Sequence, residues 1–402
     1  MPTPQRLTMT ALERRASLAL TGLFACRMLG LFLLLPVFAV AAQGLSGGDD
    51  PARVGLALGM YGLTQACMQI PLGLASDRWG RRPVVLAGLA LFVTGSVWCA
   101  LSEDLFWITL GRGIQGAGAI SAAVTAWLAD ATRPEVRTRA MAMVGGAIGL
   151  SFAASLVLAP LLVGWGGLAG LFWSMAALGV AAAALAGWIV PSAPRQPVMP
   201  MRTRDLWRLP RVVLGNGTLL RLNAGVFILH AIQMALFVVM PGLLARLGGL
   251  QTAQLWQVYL PVVLLSFVLM VPVVLKMERH RTQTQVLHRA VLGLMFVCLL
   301  LWQMVSLASF WGLAATLTGF FLAFNLLEAL QPSLASQAAP PALKGLALGC
   351  YNTAQSLGLF VGGAAGGWLA ARGGSAAVFS AAAALAAAWW LLLQTRRKLD
   401  DT

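Results

Sequence analysis

Charge is what this sequence has least of: 10% of its 402 residues are charged, against roughly 25% in an ordinary soluble domain. With 59% hydrophobic residues, the chain has too few polar groups to coat a water-soluble globule of this length, which excludes the soluble class. Histidine is confined to His230, His280 and His288. No carboxylate pair, Cys/His cluster or nucleophile with a neighbouring base occurs at a catalytic spacing, so no enzyme, metal site or cofactor is expected. A Gly-x-x-x-x-Gly-Lys-Ser/Thr run is also missing, so the chain is not expected to hydrolyse nucleotide. The five cysteines, Cys26, Cys67, Cys99, Cys298 and Cys350, fall inside apolar stretches without paired spacing, and read as small core residues rather than a disulfide framework.

What is present is a succession of apolar stretches with short polar breaks, each about long enough for the roughly 20 residues that cross a 30 Å hydrocarbon core. Twelve spans are expected, near 17–42, 54–75, 83–101, 105–129, 140–163, 168–190, 222–241, 252–275, 286–306, 310–334, 345–370 and 375–394. The first contains Ala39-Val40-Ala41, which imitates a signal-peptidase site. Its apolar stretch is longer than a signal h-region and carries Arg27, so it counts as a span. The fold class is therefore an all-α membrane protein with the lipid bilayer as its solvent.

The net charge of +15 would suggest nucleic acid in a soluble protein. Here the basic residues sit between the apolar segments and no nucleic acid is expected. Of the 28 Lys and Arg residues, twenty-three fall in the termini and alternate loops, and only Arg53, Arg246 and Arg372 in the opposite loops. The positive-inside rule then places both termini in the cytoplasm. The expected organisation is a cytoplasmic N-terminus (1–16), a six-helix half (17–190), a cytoplasmic linker (191–221), a second six-helix half (222–394) and a cytoplasmic tail (395–402). The halves echo one another: Ile70-Pro71 precedes Asp77-Arg78 as Val271-Pro272 precedes Glu278-Arg279, at an offset of 201 residues, as an internal duplication predicts.

The turn between spans 2 and 3 reads Gly73-Leu74-Ala75-Ser76-Asp77-Arg78-Trp79-Gly80-Arg81-Arg82. A basic turn obeying the positive-inside rule accounts for Arg81 and Arg82, but not for Asp77 beside the glycines. The pattern resembles motif A of the major facilitator superfamily, and Leu110 to Ala119 in span 4, around Arg112 and Gln115, is similar to motif B. In span 5 Gly146, Pro160 and Gly164 fit the antiporter motif C, while Ser155, Ala159 and Val163 stand where that family usually has glycine. That partial match leaves antiport and symport open. The segments 27–30, 59–69, 324–334 and 349–363 look like the YajR-type branch. The resemblance covers essentially the whole chain and implies twelve helices in two pseudo-symmetric halves, in a bacterial-type inner membrane. Members of that branch carry a small soluble domain after helix 12, and none is expected here.

The resemblance makes Asp77, Arg78 and Asp130 a gate that latches the halves, within a motif that includes Gly73, Gly80, Arg81 and Arg82, and makes Arg112 part of proton coupling. A structural arginine bonding a neighbouring helix is the alternative for Arg112. In the second half, the embedded carboxylate Glu328 stands with Asn325 and Gln331 on span 10, and Asn223, His230 and Gln233 share a face of span 7. Counted from the helix ends, His230 and Glu328 differ in depth by roughly 3 Å, at 1.5 Å per residue. A carboxylate and an imidazole held together in low dielectric can load and release a proton in the range a gradient addresses. A His–Glu pair that only fixes helix packing is the alternative. Further candidates for a substrate cavity are Arg27, Tyr61, Gln65, Gln115, Gln233, Asn325, Tyr351, Asn352 and Gln355, each of which could equally be an interhelical hydrogen bond.

The expected activity is secondary transport by alternating access, as a proton-coupled antiporter exporting small amphiphilic or drug-like molecules. The alternatives are a proton-coupled importer or uniporter of a small organic anion or metabolite, and a non-transporting membrane sensor or scaffold. The expected partners are a small-molecule substrate, protons and lipid, with the chain acting as a monomer.

Overall fold

The computed structural model describes residues 8–191, 215–280, 282–340 and 344–394. Residues 192–214 of the expected linker and the whole of the expected tail therefore lie outside the described residues. Among these residues the chain is helical almost throughout, and the only β feature is a single bridge between Ser46 and Asp104.

Helix starts are set by side chains that accept the orphan N–H groups of the first turn. Asp50 accepts from Ala52 N with Pro51 at the first helical position, Asp104 from Phe106 N, and Asn216 from Thr218 N and Leu219 N. Thr10 and Glu13 cap the first helix reciprocally. Eight helices are long and apolar enough to cross a membrane by length and composition. Two of them, Pro134–Ala184 and Lys344–Gln394, are each a pair of spans merged across a non-helical glycine. Span 2, Pro51–Trp79, and span 4, split into Leu105–Ala117 and Ser121–Asp130, complete the twelve.

The two merging glycines carry the internal repeat. Gly167 has φ 63° and ψ −162°, and Gly374 has φ 62° and ψ −163°. Such a positive φ is open to glycine at little cost and strained for any side chain. The same turn thus joins spans 5 and 6 and spans 11 and 12, one in each half. The chain runs helical through Pro160 and turns at Gly167.

Two spans depart from their expected form. Span 1 is helical from Ala11 to Phe32, six residues earlier than expected, then breaks before the short turn Phe38–Ala41. Pro36 stands in that break and lacks the N–H that would continue the ladder. Span 4 breaks at Gly118, whose φ/ψ is −77°/42°.

Helix packing repeats between the halves. In the first, spans 1 and 5 meet where Ser151 Oγ donates to Ala25 O at 3.1 Å, and spans 2 and 4 meet where Gly116 lies against the Tyr61 backbone. In the second, Gly358, Gly362 and Gly366 of span 11 seat on Phe227, Ala231 and Ala235 of span 7. The halves meet along spans 2 and 11. There Gly55, Gly59 and Gly62 face Ser356, Phe360, Gly363 and Gly367 so closely that an added Cβ would strike backbone. This seam lies toward the side of the bundle opposite the basic turns, because span 2 ends at Asp77 and span 11 begins at Lys344. Toward the basic side, a methyl at Gly145, Gly146 or Gly149 of span 5, or at Gly349 of span 11, would touch nothing.

Candidate functional site

The pair expected from depth counting meets. His230 Nε2 lies 3.6 Å from Glu328 Oε2, joining span 7, Gly217–Gly248, to span 10, Phe310–Ala338. Span 11 adds Gln355, whose Nε2 is 2.7 Å from His230 Nε2 and 3.4 Å from Glu328 Oε1. The other ring nitrogen, Nδ1, is 3.0 Å from Val226 O. A carbonyl only accepts, so Nδ1 carries the hydrogen and Nε2 of the neutral ring is an acceptor. Phe324 closes over the imidazole edge-on, with centroids 5.7 Å apart. The His230 side chain is 4% exposed and that of Glu328 32%, so the carboxylate is the partner that solvent can reach.

One atom is left over. Glu328 Oε2 is buried without a hydrogen-bond partner. A carboxylate oxygen without a donor in apolar surroundings is costly, and a single proton placed between Oε2 and His230 Nε2 relieves that cost.

The first half holds a different network. Arg27, fully buried in span 1, donates through Nη2 to Tyr61 Oη at 2.7 Å and Gly118 O at 3.3 Å, and through Nη1 to Ser121 Oγ at 3.4 Å. The break in span 4 explains this pairing. It frees the carbonyl of Gly118 at the negative end of Leu105–Ala117, where a guanidinium is favoured. Arg112, also buried, donates to Gln115 Oε1 at 2.7 Å and lies 4.9 Å from the centroid of the Tyr61 ring, and Gln115 donates to Ser96 Oγ at 2.8 Å. Among the described residues neither arginine pairs with a carboxylate, and the Nε of each lacks a partner.

The remaining cavity candidates are scattered. Gln65, Gln233 and Tyr351 are buried, with Gln65 Oε1 and the Tyr351 hydroxyl unpartnered, and Asn325 donates to Ser266 Oγ at 3.4 Å. Asn352 is half-buried and its carbonyl accepts from Ser356 Oγ at 2.9 Å. Two surface clefts, about 420 and 590 Å³, are lined by Arg14, Arg15 and Ile189 and by Trp98, Glu103 and Trp107, and neither includes a residue of these networks.

The basic turn corrects one expectation. Arg78, expected with Asp77 and Asp130 in the latch, is exposed. Arg81 takes that place: its Nε is 2.9 Å from Asp130 Oδ2, its Nη1 contacts Asp77 and donates to Ser76 Oγ at 2.8 Å. The reason is the backbone of Gly80, whose φ of 98° reverses the chain so that span 3 starts at Arg81, pointing back at the end of span 2. Arg82 donates to Val190 O at 2.6 Å and stands over Trp127. Gly73 accepts from Ser76 Oγ at 2.7 Å. Among the described residues these contacts stay inside the first half. Residues 341–343, just before span 11, lie outside the description, so the expected reach of Asp77 to span 11 is not among these contacts.

One buried acid escaped sequence reasoning. Glu13 accepts from the backbone N of Arg133 at 3.0 Å and from its Nε at 2.8 Å, fastening span 1 to the turn before span 5. The signal was the capping-box spacing of Thr10 and Glu13. Gln331, expected with Glu328 and Asn325 on span 10, and Gln69 of span 2 are buried, both with unpartnered amides.

Twelve spans in two equivalent halves, meeting at a backbone-close seam with an ionisable pair inside one half, define a membrane transporter rather than an enzyme. The profile described as Major Facilitator Superfamily matches residues 20–363, and the chain belongs to that superfamily. It is 43% identical over 357 residues to the inner membrane transport protein YajR of Escherichia coli (strain K12), covering 89% of this chain and 77% of that protein. The class D tetracycline resistance protein of Salmonella ordonez is 35% identical over 144 residues, 35% of either chain. Among solved structures, a D-xylose–proton symporter superposes with a TM-score of 0.71 at 17% identity, over 95% of this chain and 96% of that one.

Proposed function

We propose that this multi-pass transporter is a proton-coupled antiporter that exports small amphiphilic molecules, with the His230–Glu328 pair as its proton site. The observation that carries the reading is the unpartnered Glu328 Oε2 facing the acceptor Nε2 of His230 at 3.6 Å. A proton bound there changes the charge of the second half, and it drives movement only by binding one of the two access states better than the other. On this reading both termini are cytoplasmic, the closed seam of spans 2 and 11 faces outward, and the transporter is inward-facing. The name of the tetracycline resistance relative favours export, and the Arg81–Asp77–Asp130 cluster is assigned to the gate. A monomer suffices, since one chain encloses the whole site.

A second reading, import of a small organic anion, is favoured by the buried Arg27 and Arg112, which lack a carboxylate partner among the described residues. Proteoliposomes of known orientation, given a pH gradient and a panel of lipophilic cations, neutral drugs and organic anions, separate the two. Proton movement opposite to substrate and lost in Glu328→Gln supports the antiporter. Movement in the same direction as an organic anion supports the importer, and coupled flux that survives Glu328→Gln removes Glu328 from the proton path.

A further inference from the structure

The proton site lies on spans 7 and 10, whereas the backbone-close seam between the halves is made by span 11 against span 2. Some group must carry the state of the first to the second. Gln355 is the residue of span 11 that touches both His230 and Glu328. The next residue, Ser356, presents its carbonyl to span 2, 2.5 Å from where a Cβ on Gly62 would stand.

The hydrogen-bond inventory makes the Gln355 amide sensitive to one proton. Its –NH2 group has two hydrogens, one toward His230 Nε2 at 2.7 Å and one toward Glu328 Oε1 at 3.4 Å. Nε2 of a neutral ring protonated at Nδ1 has a single lone pair. A proton placed between Nε2 and Glu328 Oε2, on either atom, occupies that lone pair. The amide hydrogen then has no acceptor, and if the proton sits on Nε2 two donors face each other. The amide must turn to present Oε1 or withdraw with its helix. The other titratable group of span 11 near this point is Tyr351, one turn before Gln355, whose hydroxyl is buried without a partner. Span 10 supplies Glu328 itself, and Tyr61 of span 2 is engaged by Arg27.

We propose that Gln355 is the positioning residue that transmits protonation of the His230–Glu328 pair to the seam of spans 2 and 11, by losing its hold on His230 when the proton arrives. This rests on the reading of that pair as the proton site. The unprotonated pair, with Glu328 ionised and Nε2 of His230 free to accept, holds Gln355, and with it span 11, in the packed seam; the protonated pair releases it.

The test uses the full chain in nanodiscs without substrate, its native cysteines replaced and spin labels at Gln43→Cys and Ala371→Cys, exposed positions at the seam end of either half. Double electron–electron resonance reads the ratio of open to closed seam between about pH 5.5 and 8.5. A group whose pKa differs by about one unit between the two states changes their ratio by about tenfold over that titration. The labelled parent should show such a change and Glu328→Gln should abolish it. Gln355→Met, which keeps length and volume, should abolish it too, while infrared difference spectra still show the Glu328 carboxyl titrating; Gln355→Leu serves as a second apolar replacement. A parent-like pH response in both Gln355 variants overturns the inference and leaves the proton site standing. A pH response retained in Glu328→Gln, or absent from the parent, overturns the proton-site reading and this inference with it.

Discussion

Substituting Gly59 by alanine should push the transporter out of the state described here without unfolding it. The new Cβ would lie 2.7 Å from Phe360 O and 3.1 Å from its Cα. These are backbone atoms of span 11, which no rotamer change can clear. Overpacking of this kind costs about 1–3 kcal/mol, and because the contact joins the two halves, the cost falls only on the state in which they touch. The open-to-closed ratio of the seam should therefore rise by about 5- to 150-fold. Gly362 is the control. It is equally tight, but against Ala231 of span 7 inside the second half, a contact present in both states. Gly362→Ala should lower the unfolding temperature and leave the open-to-closed ratio unchanged. The same distance measurement across the seam decides: an unchanged distribution in Gly59→Ala, or an equal shift in Gly362→Ala, would refute the argument that the seam and not general packing sets the state.

Further outcomes follow from the other networks. Tyr61→Phe removes the acceptor of the Arg27 Nη2 hydrogen bond and should destabilise the fold by about 1.5–3 kcal/mol, the range for bonds to charged groups, read by thermal unfolding in detergent. Arg81→Ala should impair exchange in proteoliposomes far more than Arg78→Ala, because Arg81 alone of the two contacts Asp77 and Asp130; equal defects would return Arg78 to the latch. Asp104 has its carboxyl held below the usual range by the Phe106 N–H and the Ser46 side chain. A lowered folded value means that its stabilisation is complete above the ordinary aspartate range and fades as pH falls through the lowered value. Asp104→Asn, which keeps a capping oxygen but cannot titrate, should therefore flatten the acid side of the stability profile, and an unchanged profile would count against the cap as the cause.

Much of the site was legible because membrane sequences are sparse in polar groups. An embedded Glu328 and a single embedded histidine stand out in an apolar chain, and helix rise alone put them at nearly one depth. The basic turn was equally legible as a pattern, but its wiring was not. Arg78 and Arg81 are three residues apart, and which of them reaches Asp130 depends on the positive φ of Gly80, a backbone choice that composition does not express. Gln355 ranked with eight other polar candidates until its distance to both members of the pair set it apart. Glu13 passed unnoticed because its partner, Arg133, is 120 residues away.

By itself the sequence determined the membrane class, the twelve spans, the repeat and the side on which positive charge collects, since these follow from hydropathy and loop charge, which act locally along the chain. Only the tertiary structure decided which polar groups satisfy one another and which surfaces of the two halves touch. Span 11 is glycine-rich on two faces, and sequence spacing treats them alike. One face binds span 7 within its own half, and the other closes on span 2 across the seam. That distinction depends on the rotation of each helix about its axis, which is fixed by packing against neighbours far away in the chain.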